Sequence, residues 1–198
     1  MTNSENISTY DLARSRNLPH LLARFTEKWA PEEGTIQAHL DVLKSSGFVW
    51  IAKFGKSIGN SPIDRTNDEI GKRSPMFLVL MTVGSRELSD RRPRGGLFLL
   101  DEVRKKSEFS WKVSGIPAYY RKIMMSAGTW FKASKGIALS DAQLYEISII
   151  SSQSYAEATL RRSMASYFKV RISMPLMKSI LPDLTDTSDG IESITRHI

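Results

Sequence analysis

The chain contains no cysteine. That excludes a disulfide framework, a thiolate metal site and a cysteine nucleophile. Histidine is scarce. His20, His39 and His197 stand far apart, and no two have the spacing of paired metal ligands. No apolar run reaches the roughly 18 residues that a membrane-crossing helix needs, so no membrane partner is expected. Met1-Thr2-Asn3-Ser4-Glu5-Asn6 lacks the basic and apolar regions of a signal peptide, and a cytoplasmic location is expected. The phosphate-loop motif, the dinucleotide-binding glycine fingerprint and Gly-x-Ser-x-Gly are missing as well. Each gap removes a class of enzyme, and no cofactor is expected.

Negative charge is also in short supply. The 198 residues carry 21 Asp and Glu against 28 Lys and Arg, a net charge of +7. The excess is local. Arg86 to Lys122 holds ten Lys/Arg and five acids, and Leu160 to Lys178 holds five and none. Asp183 to Ile198 reverses the sign, with four acids and one Arg. A basic balance favours polyanionic partners, nucleic acid first, although a charge cluster is often only a solvated face. The length and the 41% hydrophobic content suffice for one domain with a sizeable core.

Period and punctuation place the elements. Leu12, Leu18, Leu21, Leu22, Phe25 and Trp29 have helical spacing, with Pro19 as a start or kink and Pro31 as a stop. A second helix runs from Thr35, with Ile36, Leu40 and Leu43 on one face, to Gly47. Phe48 to Phe54 reads as a strand, and Ser61-Pro62 opens a short helix ending near Lys72. Met76 to Val83 is almost wholly apolar, which marks a central strand buried on both faces. Leu97 to Val103 is the next strand, Ser110 to Val113 another, and Trp130 to Leu139 one or two more. Ser140 with Gln143 and Ser154 with Glu157 form capping boxes for two helices, the first carrying Leu144, Ile147 and Ile150. Tyr167 to Met174 alternates cleanly, with Phe168, Val170, Ile172 and Met174 inward and Lys169 and Arg171 outward. Long helical crossovers are missing between most strand pairs. The expected fold class is α+β, a small, curved, mixed β-sheet or open β-barrel with peripheral helices. Residues 1–46 form a helical segment packed on the core, 47–182 the barrel domain, and 183–198 a polar tail or linker.

The chemistry of binding is better represented than that of catalysis. Gly47-Phe48-Val49-Trp50-Ile51-Ala52-Lys53-Phe54-Gly55-Lys56-Ser57-Ile58-Gly59 carries a Trp on an apolar strand into a basic glycine turn. Ile116-Pro117-Ala118-Tyr119-Tyr120-Arg121-Lys122, followed by Gly128-Thr129-Trp130-Phe131-Lys132, repeats the combination. Flat rings beside cations suit a site that stacks a base and holds phosphates. Trp50, Tyr119, Tyr120 and Trp130 are the candidate base-holding rings, with Trp111 and Phe131 also available. Ser57, Asn60 and Thr129 could read a base edge. Lys53, Lys56, Arg91, Arg92, Arg94, Lys105, Lys106, Arg121 and Lys132 are the candidate phosphate contacts. The plain alternative makes the rings core residues and the cations solvated. For catalysis, Asp101-Glu102 followed by Lys105 is the nearest approach to a metal-dependent nuclease. Adjacent strand residues point to opposite faces, so the two carboxylates do not converge, and a single metal could be held only by recruiting distant acids such as Asp64 or Asp68.

These segments, with Gly95-Gly96-Leu97-Phe98-Leu99-Leu100-Asp101-Glu102-Val103, resemble the PUA-like superfamily, and within it the EVE and YTH-type domains. The resemblance spans roughly residues 47 to 175. It implies a curved barrel with an aromatic cage for a modified base, such as a methylated adenine or cytosine, with Trp50 near the pocket and Tyr119, Tyr120 and Trp130 as walls. It also implies a target sensor of a modification-dependent restriction system, working with a fused or separate motor or nuclease subunit.

The expectation is therefore a non-catalytic nucleic-acid-binding domain that holds a flipped, modified base, with DNA favoured over RNA, no cofactor and no metal. The alternatives are a metal-dependent nuclease or other nucleic-acid enzyme, and a protein-interaction domain with a basic face.

Overall fold

The computed structural model describes residues 7–25, 34–55, 57–82, 93–110, 112–122, 127–162 and 167–181. Its elements run α1 (Thr9–Ser15), β1 (His20–Arg24), α2 (Thr35–Ser46), β2 (Val49–Phe54), α3 (Asn60–Gly71), β3 (Met76–Thr82) and β4 (Arg94–Lys105). They continue with β5 (Ala127–Ala138), α4 (Asp141–Leu144), β6 (Ile147–Ile149), α5 (Ala156–Arg162), β7 (Tyr167–Ile172) and α6 (Met174–Ser179). Short 3-10 turns cover Lys106–Glu108 and Ala118–Lys122. The fold is α+β, built on one seven-stranded sheet in the order β2-β5-β4-β3-β1-β7-β6. The sheet is mixed, because β1 lies parallel to β3 while every other pair is antiparallel. Its first and last strands do not pair, so it is open and not a closed barrel.

The pleat sorts the side chains onto two faces. Leu22, Phe77, Val79, Leu97, Leu99, Ile147, Val170 and Ile172 point to one face, where Leu12, Leu144, Leu160 and Leu176 from α1, α4, α5 and α6 meet them. Leu21, Ile51, Leu78, Leu80, Phe98 and Phe131 point to the other, under Ile36 of α2 and Ile63 and Ile70 of α3. All seven residues of β3 are buried, as its unbroken apolar run requires of a strand covered on both sides. The α2 helix stops where Gly47 takes φ +74°, a left-handed value, and its N–H bonds the Leu43 carbonyl. The alternation read at β7 holds: Val170 and Ile172 are buried, while Lys169 and Arg171 are exposed.

Three local readings change. The region around Pro19–Phe25, expected as helix, supplies β1. His20 to Ala23 are all buried, threaded between β3 and β7. A short strand buried on both faces shows apolar residues at consecutive positions, and these also match helical spacing. The helix expected from Ser140 to Ile150 lasts four residues. Its capping box forms, but Ile147 and Ile149 flank Ser148 with a period of two and join the sheet. Ser110 to Val113 is not a strand among the described residues; Val113 packs with Phe109 against the aromatic end of the sheet. Trp29, Val83, Trp111, His197 and the tail 183–198 lie outside the described residues.

The edge of β2 decides how the candidate site is built. One side of β2 pairs with β5, which leaves the outward N–H groups of Trp50 and Ala52 in need of acceptors. Trp50 N–H bonds the Gly115 carbonyl at 2.7 Å, and Ala52 N–H bonds the Tyr120 hydroxyl oxygen at 3.0 Å. The His39 ring stands 2.7 Å from that hydroxyl through Nε2 and 2.6 Å from the Thr35 carbonyl through Nδ1. A carbonyl can only accept, so Nδ1 carries the proton and the Tyr120 hydroxyl donates to Nε2. The chain of bonds needs a neutral imidazole.

His20 and His39 are both fully buried, and burial lowers each pKa from 6.5 to about 4. Between these values the unfolded chain binds a proton that the folded chain refuses. Stability is therefore full above about pH 6.5 and falls as the pH drops towards about 4, by roughly 3 kcal/mol per histidine at the lower end. Urea unfolding midpoints measured between pH 7.5 and pH 4.5 should decline steadily. A flat profile over that range would mean that neither ring is held neutral.

Candidate nucleic-acid interface

The expected base-holding rings do come together, at the β2–β5 end of the sheet. Trp50 and Trp130 project from neighbouring strands onto the face opposite α2, and Phe109 and Tyr120 reach them from the segment joining β4 to β5. Trp130 is fully buried and lies flat on Phe109, with centroids 3.9 Å apart and planes 3° from parallel. Trp50 meets the same Phe109 edge-on at 4.9 Å. Tyr120 meets Trp130 at 6.0 Å and Phe54 at 5.3 Å, again edge-on. Trp50 and Tyr120 are 3% and 2% exposed, so their rings serve as packing in this state. Tyr119 is half-buried, 4.7 Å from Tyr120, and among the described residues is the least buried of the candidate rings.

Two cations cap this cluster. The Arg104 guanidinium sits 5.0 Å above the Trp50 ring and the Lys132 ammonium 4.8 Å above Phe48. Arg104 also grips Glu102 through two bonds of 2.5 and 2.9 Å. Lys105 reaches Asp64 at 3.5 Å and Glu108 at 3.8 Å. Lys53 is buried, and desolvation lowers its pKa. Arg94, Lys106 and Arg121 are exposed. Lys56, Arg91 and Arg92 lie outside the described residues.

The polar base-edge candidates are arranged around the turn after β2. Ser57 and Asn60 are exposed, and Asn60 is the first residue of α3. Thr129 is buried, and its hydroxyl accepts the Ile58 N–H at 3.0 Å. Gly128 permits that approach: a Cβ there would come within 2.5 Å of the Ser57 hydroxyl and 2.8 Å of the Gly55 carbonyl. The turn is thus clamped onto β5.

The carboxylates of the nuclease alternative do not converge. Asp101 accepts the Ser134 hydroxyl at 2.7 Å, and burial raises its pKa. Glu102 is held by Arg104 on the cation-bearing face, and Asp64 by Lys105. Among the described residues no group of three or more His, Asp or Glu is placed to hold a metal ion. Phe109 and Arg104 were not singled out in the sequence. Phe109 lies in a polar stretch with no period, and Arg104 is marked only by the basic run it opens.

The class these observations define is an open-sheet α+β protein whose aromatic end is armoured with cations. No protein-family profile, curated protein or solved structure matches the chain, and nothing in those comparisons identifies a PUA-like or EVE-type domain.

Phe109 is the keystone of the cluster. Phe109→Ala should cost about 3–5 kcal/mol of stability, the usual cost of emptying a buried Phe site. It should also move tryptophan emission to the red as water reaches Trp130. Unchanged unfolding midpoint and emission together would show that the stack carries no load.

Proposed function

We propose that the chain is a non-catalytic nucleic-acid-binding protein whose main contact is the β4–β5 hairpin. One observation carries the reading. Residues 93–138, which comprise that hairpin and its connection, hold nine Lys/Arg and three acids, a net of +6 out of +7 for the whole chain. A net charge of this size on one supersecondary unit gives a local field that draws in phosphates. Arg104 and Lys132 of this unit stand on the Trp50 ring of β2 and the Phe48 ring just before it, which suits contact with a stacked or unpaired strand. Lys112 and Arg121 are exposed and form no ion pair among the described residues, so they are available to phosphates.

The finer form of the proposal follows the PUA-like, EVE and YTH-type resemblance. The base held is then modified and flipped, and the protein senses DNA modification for a motor or nuclease partner. Tyr119 is the ring on which such a base would stack first, because Phe109 covers one face of Trp130. Deeper entry would require the Phe109–Trp130 stack to part.

The double reversal Lys112→Glu/Arg121→Glu should weaken binding to every oligonucleotide alike. The slope of log K against log salt should flatten by about two units for duplex DNA. Fluorescence anisotropy over a salt series, with methylated and unmethylated probes, reads both effects. A loss confined to one sequence or one modification would move these residues into base reading. Wild-type protein that ignores all probes would remove the nucleic-acid reading and favour an acidic protein partner. Cleavage with magnesium, abolished by Asp101→Ala, would restore the nuclease alternative.

A further inference from the structure

Among the described residues, the face of the sheet that α2 and α3 cover carries no such cover at its far end. Leu21 of β1 is buried there, but on the next strand Lys169 and Arg171 are exposed on the same face. The row continues across β6: Arg171 pairs with Ser148, and Ser148 bridges to Tyr155. The Tyr155 ring meets the Tyr145 ring edge-on at 5.7 Å. The two tyrosines are 56% and 55% exposed, so this pair is presented to solvent and is not packed into the core.

Next to Lys169, a groove between α3 and β7 holds about 270 Å3 of space, open mouth included, and is lined by Pro19, Arg65, Thr66, Glu69, Tyr167 and Lys169 among others. The Tyr167 hydroxyl is buried and has no hydrogen-bond partner among the described residues. Arg65, Lys169 and Arg171 form no ion pair among the described residues. Two of the nearby acids are already engaged, while Asp68, one turn along α3 from Arg65, is exposed. Glu69 is shared by Arg14, Lys72 and the Ser74 hydroxyl, and Glu146 accepts the Ser173 hydroxyl.

We propose that this face is a second, separate contact for single-stranded nucleic acid, with bases stacking on Tyr155 and Tyr145 and phosphates held by Arg171, Lys169 and Arg65. Charge chooses the occupant: three exposed cations without an ion pair among the described residues reject a basic partner. The exposed ring pair supplies the sequence-tolerant stacking that single strands use, and a duplex would keep its bases out of reach. Two strand spacings separate Arg171 from Tyr155, roughly 10 Å, a span that a few extended nucleotides cover. The proposal goes beyond the hairpin reading and stands without it, since the two surfaces share no residue.

The experiment uses the full chain with fluorescent oligo-dT and oligo-U probes of twenty nucleotides and a duplex of equal length. Tyr145→Ala/Tyr155→Ala should lower affinity for the single strands about tenfold or more, with the salt slope and duplex binding unchanged. Arg65→Gln/Lys169→Gln/Arg171→Gln should flatten the single-strand salt slope by about two units. These positions are exposed, and thermal unfolding confirms that the variants fold. Independently of any variant, bound oligo-dT should protect Tyr145 and Tyr155 from nitration. If both variants bind single strands like wild type, or the tyrosines nitrate equally with and without probe, the face is not a contact. If wild type binds no single strand at all, the proposal also fails. A loss of single-strand binding in the hairpin variant alone would assign the whole activity to the hairpin.

Discussion

The free edge of β2 is the constraint on which the aromatic end of the molecule depends. An edge strand with unanswered N–H groups either aggregates or must be covered from elsewhere in the chain. Here the cover is the segment from Gly115 to Tyr120, fastened by the Gly115 carbonyl and by the Tyr120 hydroxyl. That single oxygen takes the Ala52 N–H and returns its own proton to His39, which in turn donates to the Thr35 carbonyl. Four groups from α2, β2 and the hairpin connection are satisfied in one line. Leaving any of them buried without a partner would cost about 1–3 kcal/mol, more than such a bond contributes in net terms when made. The line therefore acts more as an alignment device than as a source of stability, because it fixes where the 115–120 segment can sit.

That alignment explains why aromatic residues gather where they do. Once Tyr120 is pinned to β2, the connection between β4 and β5 has to fold back over the exposed faces of Trp50 and Trp130. Phe109 fills the space between them. Rings packed edge-on and stacked add roughly 0.5–1.5 kcal/mol per pair beyond the area they bury. The cations then occupy the outer layer. Arg104 and Lys132 spread over rings with their charged ends partly in water, which keeps polar groups above an apolar floor. The same residues that look like a base cage in the sequence thus form a compact wall with charge on its outside.

The long periodic elements were legible in the sequence for simple reasons. The β3 strand is a bare apolar run, β7 alternates strictly, and Gly47 closes α2 because only a residue without Cβ takes φ +74° at no cost. The β1 strand was not legible, because four consecutive buried residues satisfy both a helical and an extended period. The gathering of Trp50, Trp130 and Tyr120 followed correctly from their setting in strand and turn. Their burial is the plain alternative that the apolar setting offered, whereas Phe109, which covers them, carries no pattern of its own. His39 is similar: a lone histidine on an apolar helix face reads as a core residue, but its partner 81 positions away cannot be inferred from spacing.

The two basic regions also differ in what they can touch. The cations Arg104 and Lys132 stand on the face of the sheet that carries Trp50 and Trp130, whereas Lys169 and Arg171 stand on the opposite face. Three strand steps separate β4, which carries Arg104, from β7, and four separate β5, which carries Lys132, roughly 14–19 Å. That is about two Debye lengths at physiological salt, so the regions do not merge into one field. A duplex with a persistence length of about 150 base pairs cannot bend around a sheet edge to meet both faces. A flexible single strand can. Under the two proposed contacts, an unpaired strand is therefore the polyanion able to use both regions at once, with each phosphate contact adding its own increment of salt dependence.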